Sequence, residues 1–167
     1  AQLAALLDAQ TLAPLTDLAT GAAPAGLDLS PDGRWLASAD RDADAVSVFD
    51  AETLALRHRA GVGTRPFGLR FAPDGRLFVG NVGSNDLSVL DADTGDLLAT
   101  VPVGDRPYGV AFAQGAAFVS NQYAGTVSVL DLATLDQRAV LTVGDYPEGI
   151  DTSADGSLVI VANWFDN

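Results

Sequence analysis

Gly68-Leu-Arg-Phe-Ala-Pro-Asp-Gly-Arg-Leu-Phe-Val-Gly-Asn81 decides the fold. It reads as a strand, a tight Pro-Asp-Gly turn and a second strand, because Asp-Gly supplies the positive φ that a hairpin turn requires. Leu87-Ser-Val-Leu-Asp91 follows, then Val101-Pro-Val-Gly104, then a Pro-x-Gly at Pro107 to Gly109. The same order recurs every 40 to 42 residues, from Gly26 to Gly63 and from Gly109 to Gly144, and in part at both ends. A period of this size with four short apolar segments per repeat signals a β-propeller blade or a similar array.

The predicted fold is therefore all-β, a propeller of four-stranded antiparallel blades with about four repeats. Residues 1–25 read as strands c and d of a split blade, 26–63, 64–104 and 105–144 as blades, and 145–167 as strands a and b of a split blade. Strand a is read after each Pro-x-Gly, as at Leu27 to Leu29 and Leu69 to Phe71. The third a–b turn, Gln114-Gly115, lacks Pro-Asp and is one residue tighter. Strands b and c carry apolar residues on both faces, as blades stacked face to face require. Strand d is more polar and accepts Pro102, which places it at the rim of each blade and strand a at the axis. No helix is predicted. The split ends are complementary, so three arrangements fit: a closed four-blade ring, two chains joined, or part of a larger propeller.

The 167 residues suffice for one domain with a real core, and none of its apolar runs approaches the ~20 residues of a membrane helix. A net charge of −13, from 22 acidic and 9 basic residues, disfavours nucleic acid and anionic membrane surfaces as partners. There is no Cys, which removes disulfides, thiolate metal sites and cysteine nucleophiles, and no Lys, which removes Schiff-base chemistry. The start at Ala1-Gln2, without Met, fits either removal of a signal peptide or the boundary of an expressed segment, and a periplasmic or extracellular location is the expectation.

The run x-Pro-x-Gly, strand, Pro-Asp-Gly, strand ending in Asn, Val-Ser-Val-x-Asp, Val-x-Val-Gly resembles the YVTN β-propeller repeat family, most closely at Pro66 to Gly104 and Pro107 to Gly144. The signature tetrapeptide is degenerate here, as in Phe118-Val-Ser-Asn121 and Ile160-Val-Ala-Asn163. The resemblance implies a superfamily that includes exported and surface-layer binding proteins and the propellers of quinoprotein amine dehydrogenases and haem d1 proteins.

Strands a and b run antiparallel, so the d–a and b–c loops share one rim. That rim gathers Arg65 and Arg106 near the axis with Phe67, Tyr108, Tyr123, Tyr146, Glu148 and Trp164. Arginine with aromatics suits a small carboxylate-bearing or planar ligand, or a protein partner. Against this stand structural roles: Pro-x-Gly as axial packing, and Arg65 and Arg106 paired with Asp105 and Asp145. Asn81, Asn121 and Asn163 read as caps of the b–c loops through local backbone bonds. Asp40-Arg41-Asp42-Ala43-Asp44 reads as a solvated acidic loop, since it lacks the glycine and distal glutamate of a calcium loop. The lone His58 reads as a surface residue of strand d. The residues hold no catalytic constellation and call for no cofactor or metal. The favoured reading is a non-enzymatic binding propeller. The alternatives are the propeller portion of an exported redox enzyme and a surface-layer repeat.

Overall fold

The turn signals divide the chain into short β-strands, and each strand pairs antiparallel with its sequence neighbour inside one sheet. A computed structural model describes residues 2–166. Three four-stranded sheets follow one another. The first is β3 (Pro24–Leu29), β4 (Trp35–Asp40), β5 (Ala45–Asp50) and β6 (Leu56–Gly61). The second is β7 (Pro66–Phe71), β8 (Leu77–Asn81), β9 (Asp86–Leu90) and β10 (Leu97–Pro102). The third is β11 (Pro107–Ala113), β12 (Ala116–Asn121), β13 (Thr126–Asp131) and β14 (Gln137–Thr142). A two-stranded sheet flanks them at each end: β1 (Gln2–Leu7) with β2 (Pro14–Thr20), and β15 (Pro147–Thr152) with β16 (Val159–Asn163).

Sheet order puts the first strand of each blade at one edge and the fourth at the other, and successive first strands pack against one another along the axis. The second and third strands are buried on both faces, Leu77 to Asn81 throughout. Apolar side chains interlock between blades. Trp35, Val46 and Val48 meet Leu69, Phe71 and Val79. Phe78, Leu87 and Val89 meet Val110, Val119 and Leu130. Val127 and Val129 meet Ile150 and Val161 on the last sheet. Burial of this kind contributes about 25 cal/mol per Å² of apolar surface, so the core lies between blades rather than within one.

Three local expectations are corrected. The first strands begin at the proline, so Pro-x-Gly is part of the sheet. Each crosses it with a register shift, as between Pro66↔Asn81 and Leu69↔Val79. The residue before each proline, Ala23, Arg65, Arg106 or Tyr146, takes left-handed backbone with φ of 53 to 58°. A short 3-10 turn at Arg41–Ala43 occupies the acidic loop, where helical structure was not expected. His58 is half-buried between blades, its Nε2–H donating to the Ala92 carbonyl at 2.9 Å.

The tight Gln114-Gly115 hairpin is observed with φ of 47° and 69°, the doubly positive pair that a two-residue turn needs. β1 and β16 lie in separate sheets, so the described strands form an open arc of three blades and two half-blades rather than a closed four-blade ring. Among the described residues no helix is long and apolar enough to cross a membrane.

Candidate functional site

The glycine of each Pro-x-Gly lets adjacent first strands approach closely. A Cβ on Gly26 would overlap the Phe67 carbonyl, and one on Gly68 the Tyr108 carbonyl. A Cβ on Gly109 would lie 2.8 Å from the Glu148 carbonyl. This contact sets the x residues Phe67, Tyr108 and Glu148 side by side on neighbouring blades at the axis. They line an open cavity of about 340 Å³ together with Ala25, Arg70 and Ile150. Its volume sits at the lower end of the few hundred Å³ typical of small-molecule sites.

Within the cavity, Phe67 and Tyr108 stack across the blade boundary with ring centroids 4.4 Å apart. Gln122, which is buried, donates from Nε2 to Glu148 Oε1. Ser120 Oγ donates to the Glu148 carbonyl at 2.8 Å and thereby fixes the last axial strand against β12. Burial, and next to it the Glu148 charge, push the Tyr108 hydroxyl above its ordinary value, while the guanidinium groups of Arg106 and Arg41 oppose the rise. Tyr108 therefore stays a hydrogen-bond donor at neutral pH. Arg70 reaches past β11 to Asp151 at 2.9 Å, tying β7 to β15 along the same cavity.

The other expected rim residues lie farther out. Arg106 stacks over Tyr123 at 4.5 Å, and its Nη1 donates to the Tyr123 hydroxyl at 2.5 Å. Tyr123 meets Tyr146 edge-on at 5.6 Å, Tyr146 meets Phe165 at 4.8 Å, and Phe165 meets Trp164 at 5.3 Å. This aromatic row is exposed, with Trp164 at 69%. Arg65 points from the exposed loop before β7, where its backbone N–H donates to Asp44 at 2.8 Å. Among the described residues neither Arg65 nor Arg106 pairs with Asp105 or Asp145; the ion pairs are made by Arg34, Arg70, Arg76 and Arg138. The b–c loop expected over residues 163–167 includes Asn167, which lies outside the described residues.

Arg41 and Gln122 were missed by sequence reasoning. Arg41 sits among aspartates and reads as part of a solvated loop, yet it is half-buried in the 3-10 turn that packs on β3 and β7. Gln122 follows the repeated asparagine and carried no signal of its own. The acidic loop itself is structural. Asp40 is buried and accepts from Ser38 at 3.0 Å and Ser47 at 2.5 Å. Its counterparts Asn81 and Asn121 donate to Ser88 and Ser128, both at 2.9 Å. These bonds tie the second strand to the third, and for Asn121 also to the Gly104 N–H at 3.1 Å, which replaces the expected local backbone cap. No cluster of three or more metal-ligating side chains occurs among the described residues.

Residues 1–112 match a family model described as lactonase, 7-bladed beta-propeller. The match shows a propeller family over that span and does not itself bear on the YVTN resemblance. Hydrazine synthase of Kuenenia stuttgartiensis is 25% identical with a TM-score of 0.79, over 83% of this chain and 41% of that one. A functionally unknown protein from Desulfotomaculum acetoxidans DSM 771 is 16% identical with a TM-score of 0.84, over 95% and 55%. The dihydro-heme d1 dehydrogenase NirN, solved in complex with DHE, is 24% identical with a TM-score of 0.73, over 95% and 37%. The chain therefore spans 37% to 55% of the length of these proteins. No curated protein matches it.

Proposed function

The chain belongs to the lactonase family of seven-bladed β-propellers, and we propose that its axial rim binds a small planar ligand. The observation that carries this reading is the Phe67–Tyr108 stack, held at 4.4 Å by the glycine contact between first strands and opening on a cavity of about 340 Å³. Two rings supplied by separate blades present one aromatic platform, and such contacts are worth about 0.5–1.5 kcal/mol beyond their buried area. Benzoate and benzamide serve as planar probes. Phe67→Ala and Tyr108→Ala should each weaken binding of either probe by roughly tenfold in a calorimetric titration. Unchanged affinity in both variants sinks the reading.

A second reading follows from the family's name. Glu148, positioned by Gln122, faces Tyr108 in the same cavity. As a general base it would take a proton from water while the water oxygen adds to a lactone carbonyl. The ring C–O bond then breaks, and Glu148 returns the proton to the departing ring oxygen, leaving a hydroxy acid. Titration of acid release from D-glucono-1,5-lactone tests it: Glu148→Gln should lower the rate by about 100-fold. No turnover above the solvent rate by the unaltered chain rules this reading out. The redox alternative draws on the resemblance and on the hydrazine synthase and dihydro-heme d1 dehydrogenase NirN among the similar structures; the absorption spectrum of natively purified protein tests it, since a colourless protein contradicts a bound haem or quinone.

A further inference from the structure

Two charged residues line the axial cavity, Arg70 and Glu148. Arg70 is spent on Asp151, 2.9 Å away. Glu148 joins none of the ion pairs among the described residues, all of which are made by aspartates. Buried Gln122 donates from Nε2 to Glu148 Oε1 and so anchors the carboxylate. Among the described residues Glu148 Oε2 accepts no hydrogen bond, and it is not shut away from solvent. The backbone beneath it is equally fixed, since Ser120 Oγ donates to the Glu148 carbonyl at 2.8 Å. The cavity thus holds one anchored carboxylate with a free acceptor oxygen.

The ring pair beside it favours the same sign of charge. Phe67 and Tyr108 stack with centroids 4.4 Å apart and line the same cavity. The face of an aromatic ring is the negative part of its quadrupole and attracts a cation. Among the described residues no arginine covers these two rings; the stacked guanidinium groups lie over Trp35, Phe78 and Tyr123. The opposite rim supplies a contrast. Its cavity of about 230 Å³ is lined by Asp32, Asp74, Asp91 and Asp93. Each is engaged: Asp32 by Ser30, Asp74 by Arg76, Asp91 by the Thr94 N–H, and Asp93 by Trp35 Nε1 and Arg34. Trp35, the aromatic ring of that cavity, is covered by Arg34 at 4.9 Å.

We propose that the axial cavity selects a planar cation of the amidinium type, whose N–H groups bond the Glu148 carboxylate while its ring lies on Phe67 and Tyr108. This rests on the binding reading above and gives its ligand a charge. A hydrogen bond between two ionised groups is shorter and stronger than a neutral one. The net charge of −13 adds a long-range field of the same sign.

Calorimetric titration of the full chain with benzamidine, benzamide and benzoate tests the assignment, since the three share one ring and differ in charge. Benzamidine should bind at least about tenfold tighter than benzamide. Benzoate, held by the rings alone at about millimolar concentration, should bind weakest. Glu148→Gln keeps the shape and an acceptor for Gln122, and should bring benzamidine down to the level of benzamide. Asp136→Asn removes the same charge from the exposed turn between β13 and β14, and should leave the preference intact. The order of the probes on the unaltered chain needs no variant to fold: benzoate as the tightest ligand overturns the assignment. A preference that survives Glu148→Gln overturns it too, and so does an equal loss in Asp136→Asn, which would show that net charge sets the order. If the three probes bind equally and Phe67→Ala weakens them all, charge selection is overturned while the binding reading stands. If none binds, both are overturned.

Discussion

Asn81 shows how much one side chain contributes to a blade. It is fully buried, and its Nδ2 donates to Asp86 at 2.6 Å and to Ser88 at 2.9 Å. Asn81→Ala would remove both bonds and leave the buried Ser88 without this partner, so urea unfolding should report a loss of about 1–3 kcal/mol. The repeat made this asparagine visible, but its partner was not, since a bond from the end of one strand to the middle of the next depends on register. At the surface, Asp155 accepts from Ser153 Oγ at 2.6 Å and from Ser157, bonds that hold its carboxyl down from 3.8 to about 2. Asp8, Asp50 and Asp131 are lowered in turn, first by backbone bonds from the threonine three residues on. A depressed folded value means stability that is present above the unfolded value and is lost as pH falls through the folded one. Melting temperature should therefore drop as pH falls from about 4 to about 2, and Asp155→Asn should flatten part of that slope. Arg41 is the opposite lesson: its neighbours in sequence concealed the neighbours it has in space.

The first strand of each blade is the element on which the axis depends. Its period, its Pro-Asp-Gly turn and its innermost place were legible, because turn chemistry and polarity are local properties. Its true start at proline was not, since left-handed backbone at Arg65 or Arg106 followed by a register shift looks like a loop in sequence. Two glycines of identical motif should behave differently. A Cβ on Gly68 meets the Tyr108 carbonyl, which is backbone and cannot move without parting two blades. On Gly149 the nearest atom is Ala162 Cβ at 3.7 Å. Gly68→Ala should thus cost about 3 kcal/mol or more, and Gly149→Ala should stay within about 0.5 kcal/mol, both read from denaturant midpoints.

Across the whole molecule, interlocked cores stop at two exposed end faces. Leu27 and Leu29 are 60% and 50% exposed at one end, Leu158 and Ile160 61% and 64% at the other. Uncovered apolar faces of this kind favour association. Light scattering should show a mass above that of one chain that rises with concentration, and Leu158→Asp with Ile160→Asp should reduce it; a monodisperse single chain at every concentration contradicts the expectation. The gathering of Arg65, Arg106 and the aromatics on one rim was visible in sequence, but which arginines would be spent on ion pairs was not, because that depends on distances between blades. Of the eight expected rim residues, Phe67, Tyr108 and Glu148 converge on the cavity, while Tyr123, Tyr146 and Trp164 form the exposed row outside it.

The claim that the axial rim is a binding site is tested most directly by a nitrogen–proton correlation spectrum of the isotope-labelled chain titrated with benzoate. Shifts concentrated at the amides of Gly68, Gly109 and Gly149, which line the axial cavity, are the expected result. Shifts centred on Asp32, Asp74 and Asp93 of the opposite rim, or none at millimolar benzoate, would contradict it.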